Sequence, residues 1–134
     1  MIEWDLSGWD AGECGRRTLR RCEPPRPVLV NMDAALPPGV LRTPHLGQRL
    51  YVASFGLHLV PWMPGRQIAW VLQSTDRWWA MISVDTGSSN KCSRLTIPML
   101  VAPDNFVLDT PGNRAKYDID RRPPWITNPE SKKI

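Results

Sequence analysis

Long apolar runs are missing from this chain of 134 residues. None approaches the ~20 consecutive residues that a helix needs to span a bilayer. The stretch MIEWDLSGWDAGE is acidic and has no hydrophobic secretion core, so export is not expected. Histidine is scarce. Neither His45 nor His58 has a local acid partner or a nucleophile motif beside it, which argues against an enzyme. Cysteine is equally thin. Cys14, Cys22 and Cys92 leave one thiol over if a bridge forms, which favours a reducing, cytoplasmic setting. Their spacing contains no close pair of the kind that tetrahedral zinc uses, so no metal site is expected. TGSSN and TPGN are not phosphate loops, and no cofactor is implied. No internal repeat is present.

Proline and tryptophan are plentiful instead, at 14 and 7 residues. Proline breaks helices and ladders alike, so a long unbroken helix is not expected. From Gly65 to Asp109 apolar and polar residues alternate, with turns at Ser74-Thr75-Asp76 and at residues 86–90. That pattern predicts antiparallel strands over 67–73, 77–85, 91–101 and 106–109. Pro98 restricts its strand to an edge or a bulge. Upstream, residues 28–32 read as a short strand. Residues 48–60 read as another, with Tyr51, Ala53, Phe55, Leu57 and Leu59 on one face and a turn at Pro61, Pro64 and Gly65. The expected fold is all-β, a small SH3-like barrel or a strongly bent antiparallel sheet with irregular arms. The expected division is a basic, proline-rich arm at 1–27, a β domain at 28–109 and a basic tail at 110–134.

Trp78 and Trp79 follow an apolar strand and a polar turn, and Pro103-Asp104-Asn105-Phe106-Val107 comes later. With Tyr51 upstream, this block resembles an SH3 domain over about residues 49–109. The resemblance implies a groove for proline-rich peptides lined by Tyr51, Trp78, Pro103 and Phe106. Arg21-x-x-Pro24-x-x-Pro27 is similar to the ligands of that family, and such an arm would pack on the barrel or serve as a stiff linker. Trp79 matters for a separate reason. Neighbouring residues on a strand point to opposite faces, so the two indoles cannot share one core. One of them needs a cover, either an arm of the same chain or an external partner.

The net charge is +4, and the positive charge sits toward the ends. Arg16, Arg17, Arg20 and Arg21 form the densest cluster, and Lys91 and Arg94 follow the 86–90 turn. Arginine with aromatic side chains suits an acidic partner or nucleic acid. The expected role is a noncatalytic protein-interaction or assembly module that binds a protein partner or itself. A DNA- or RNA-binding accessory protein is the alternative, and no membrane partner is expected. A phage or mobile-element origin would not be surprising for so small and compositionally odd a chain.

Overall fold

The computed structural model describes residues 4–37, 40 and 50–119, with side chains described from Val52 onward in the second span. His45 and the RRPPW segment of the tail lie outside the described residues. Among the described residues six strands form one antiparallel sheet: β1 Leu19–Asn31, β2 Leu57–His58, β3 Trp62–Gln73, β4 Arg77–Ser88, β5 Arg94–Val101 and β6 Phe106–Leu108. The described residues also form four short helices: α1 Glu13–Thr18, α2 Met32–Ala35, α3 Leu50–Phe55 and α4 Pro111–Lys116. A 3-10 turn at Pro103–Asn105 joins β5 to β6.

The main path runs β6-β1-β3-β4-β5. Gly87 pairs with Arg94 of β5 on one edge of β4 and with His58 of β2 on the other, so β2 shares an edge with β3. The β3–β4 hairpin turns at Asp76, whose φ of 69° is a left-handed conformation that Asp tolerates better than most residues. Two irregularities bend the sheet. Between β3 and β4 the register slips at Ile68. Between β1 and β3 it slips over Cys22–Pro25, where β1 carries extra residues. Extra residues on one strand kink it and tighten its twist.

The SH3-like barrel is not what forms. The sheet is bent but open. β6 is three residues long and pairs only with Val28–Val30 of β1, while β5 pairs with β4. Among the described residues no pairing joins β5 to β6, so nothing closes the cylinder. The alternative expectation, a strongly bent antiparallel sheet, is the observed fold.

Pro98 fits this edge physically. The amide of Ser88 donates to the Ser93 carbonyl at 3.0 Å, which fixes Ser88 as facing β5. Alternate residues of β4 then face the same way, and Ser83 faces β3 instead. Its partner Pro98 therefore aims its backbone nitrogen away from β4, where a missing N–H breaks no ladder bond.

Three other local expectations change. Residues 48–60 do not form one strand. Leu50–Phe55 is helical, and the Gly56 amide donates to the Val52 carbonyl at 2.9 Å to extend its last turn. A Cβ on Gly56 would sit 2.4 Å from that carbonyl oxygen, so the turn needs glycine. Pro64 and Gly65 are not a turn but part of β3, opposite Leu29 and Val28. β3 meets β4 only from Gly65 onward, so Pro64 removes no bond between them. The proline-bearing segment after Arg21 belongs to β1, which begins at Leu19. Its bulge lines a cavity of about 420 Å³ with Trp70.

One face of the sheet carries the core: Val28, Val30, Met32, Met63, Ala80, Ile82, Val84, Val101 and Phe106, with Trp70 and Met99 packed against them. Each large aliphatic side chain sealed this way contributes about 1.5–3 kcal/mol. Gln67 is buried among them, and its Oε1 accepts hydrogen bonds from Arg26 Nε at 3.1 Å and from the second guanidinium nitrogen. The opposite face also buries Ala69 and Met81. The segment around Trp4–Trp9 lies against it.

Candidate interaction surface

Strand register decides which side chains meet at the end of the sheet where β1, β3 and β4 run together. Leu72 pairs with Trp78, and Val71 with Trp79. Leu19 pairs with Val71, and Arg20 with Trp70, which in turn pairs with Ala80. Directly opposed residues share a face. Trp78 therefore stands with Leu72, Trp70 and Arg20 on the core side, and Trp79 with Val71 and Leu19 on the other. Both indoles are half-buried.

Each Trp is held by its own set of partners. The Arg20 guanidinium lies over the Trp78 ring at 5.2 Å. Trp79 Nε1 donates to Gln73 Oε1 at 2.8 Å, and the Arg77 guanidinium sits 5.7 Å from its ring. Guanidinium stacking of this kind is worth about 0.5–1 kcal/mol at exposed positions. On the Trp79 side, Trp4, Leu6 and Trp9 line a cavity of about 370 Å³ with Leu19, Val71, Met81 and Leu100. The chain itself thus covers part of the face on which Trp79 stands. That cover is incomplete: Trp9 remains 43% exposed, and Trp4 Nε1 is buried without a hydrogen-bond partner.

Beside this aromatic cluster lies a larger cavity, about 610 Å³, lined by Arg16, Arg20, Arg21, Trp9, Asp10 and neighbours. Arg17 is tied to Glu13 at 2.8 Å on α1. Arg66 and Arg114 have Asp85 and Asp109. Arg16, Arg20 and Arg21 make no ion pair among the described residues. The nearby carboxylates are engaged with the backbone and a hydroxyl. Asp5 Oδ1 accepts from the Ser7 amide at 3.0 Å and from its hydroxyl at 2.6 Å, which holds the Asp5 carboxyl below its usual range. Asp10 Oδ1 accepts from the Gly12 amide at 2.9 Å. β6 covers β1 only at Val28–Val30, so the β1 edge at Leu19–Arg21 has no strand partner on that side among the described residues.

The other residues singled out by sequence lie elsewhere. Tyr51 is on α3. Phe106 is 9% exposed in the core, with its ring 5.7 Å from Trp70. Pro103 is exposed at the head of the 3-10 turn. Lys91 and Arg94 are exposed at the far end of β4, beside a cavity of about 370 Å³ that they share with His58 and Asp85. Among the described residues no three His, Cys, Asp or Glu side chains converge on a possible metal position, and Cys14, Cys22 and Cys92 are free thiols. No described helix is long and apolar enough to cross a membrane.

This distribution corrects the nucleic-acid expectation. Arg20 is aligned with Ala80 and Arg94 with Gly87, so the two basic groups are about 23 Å apart along β4. Acidic Asp10 and Glu13 sit beside the larger group, Asp10 lining the same cavity and Glu13 paired with Arg17. No single basic face runs across the sheet for a phosphate backbone to follow. Sequence reasoning also missed Trp4, Leu6 and Trp9. Their spacing in an otherwise acidic stretch was the available signal.

No family model, curated protein or solved structure matches the chain. The expectation of a phage or mobile-element origin finds no support there and is withdrawn.

Proposed function

We propose that this is a noncatalytic protein-interaction module working in a reducing, cytoplasmic compartment. It engages a protein partner at the arginine–tryptophan end of the sheet. One observation carries the reading: Arg16, Arg20 and Arg21 have no carboxylate partner among the described residues, yet all three line one cavity beside Trp9. Exposed arginine next to half-buried indole is the composition that most often dominates protein interfaces. Such a surface needs no catalytic group. The free thiols of Cys14, Cys22 and Cys92 fit a reducing setting. The test is recovery of the native complex from the source cell with and without nuclease. A protein partner that survives nuclease and is lost with Arg20→Glu/Arg21→Glu supports the reading. A complex that nuclease dissolves refutes it.

A further inference from the structure

We infer that the partner's binding element is an acidic peptide anchored by indoles, and that residues Trp4–Gly12 are a built-in stand-in for it. The inference rests on the interaction surface proposed above and specifies its ligand.

The segment reads WDLSGWDAG, two tryptophans and a leucine interspersed with two aspartates. It is seated where such a ligand would be. Trp4, Leu6 and Trp9 lie against Leu19 and Met81 on the Trp79 side of the sheet, and Asp10 borders the arginine cavity. Its occupancy is imperfect in three ways. It leaves about 370 Å³ open beneath its own apolar residues. It buries the Trp4 indole nitrogen without a partner. Its aspartates bind Ser7 and Gly12, and neither pairs with an arginine among the described residues, although Asp10 borders the arginine cavity. A peptide with the same anchors, free to place its carboxylates on Arg16 and Arg21 at the cavity rim, makes the charge-assisted hydrogen bonds that the resident segment forgoes. The resident segment then acts as an intramolecular competitor, and apparent affinity falls by the fraction of chains in which it is seated.

The probe is a fluorescent synthetic peptide of sequence WDLSGWDAG added to the full chain. It should bind a Trp4→Ala/Leu6→Ala variant about tenfold more tightly than the unmodified chain, as expected if the resident segment is seated about nine-tenths of the time. Adding Arg20→Glu/Arg21→Glu to that variant should abolish binding, and a peptide with both aspartates changed to asparagine should bind at least severalfold more weakly. Equal affinity for the variant and the unmodified chain, or binding indifferent to the arginines, overturns the inference. Should the variant fail to fold, the unmodified chain serves alone: saturating peptide must speed hydrogen exchange of residues 4–9, and unchanged exchange overturns the inference. The two levels separate cleanly. If the peptide binds nothing while Arg20→Glu/Arg21→Glu still abolishes the native complex, the surface stands and the acidic, indole-bearing ligand falls. If those substitutions leave the native complex intact, the surface itself falls.

Discussion

The two ends of β4 carry positive charge and a cavity each, yet they are built in opposite ways. At the Ser88 end the polar groups satisfy one another. Ser88 Oγ donates to Asn90 Oδ1 at 2.6 Å, the Cys92 amide donates to the same oxygen at 3.0 Å, and the Ser93 amide donates to Ser88 Oγ at 3.0 Å. Lys91 and Arg94 simply project from a turn that is complete without them. At the Arg77 end Arg20 and Arg77 stack on indoles, Arg16, Arg20 and Arg21 have no acid partner among the described residues, and the covering segment fits poorly. Counting lysines and arginines treats the ends as equivalent. Their hydrogen-bond bookkeeping does not: one end is a finished turn, the other an unfinished surface.

Substitutions can break that comparison. The largest effect belongs to the frame on which both ends depend. Ile82 is fully buried midway along β4, and Ile82→Ala should cost about 2–5 kcal/mol in denaturant unfolding, disturbing both ends together. Next, Arg20→Glu/Arg21→Glu should abolish partner recovery with a stability change within about 1 kcal/mol, whereas Lys91→Glu/Arg94→Glu should leave recovery intact. Equal loss from both pairs would erase the distinction. Asn90→Ala should cost about 1 kcal/mol through its lost turn bonds, with binding unchanged.

The smallest effect concerns Asp109, whose carboxyl is held below its usual range chiefly by the hydrogen bond from Arg114. A lowered folded-state pKa stabilises above the unfolded value, and the contribution disappears as pH falls through the folded one. Asp109→Asn should therefore cost less than about 1 kcal/mol at neutral pH. The gap between variant and parent should close below about pH 4 in acid titrations of unfolding.

Legibility in the sequence followed the same physical divide. β3, β4 and β5 could be read because period-two alternation and turn residues agree there, as at Asp76. The strand expected at 48–60 failed because Tyr51, Ala53 and Phe55 suit either a strand face or a short helix. The decision lay in the local backbone turn that brings Gly56 against the Val52 carbonyl, which side-chain alternation does not encode. The start of β1 was hidden by Pro24, Pro25 and Pro27; a long bulge accommodates the first two, and Pro27 lies in the paired stretch opposite Arg66. Trp78 and Trp79 facing apart followed from strand geometry alone. Arg20 over Trp78 did not, because that contact needs the β1–β3–β4 register, and the β1 slip at Cys22–Pro25 cannot be read from one sequence. Closure of a barrel was likewise undecidable from strand patterns, since it depends on whether β5 and β6 find each other.

Hydrogen exchange on the native complex, compared with the free chain, tests the interaction surface most directly. Slowed exchange should appear at Leu19–Arg21 and Arg77–Ala80, with residues 88–94 unchanged. Protection confined to residues 88–94 would contradict the account.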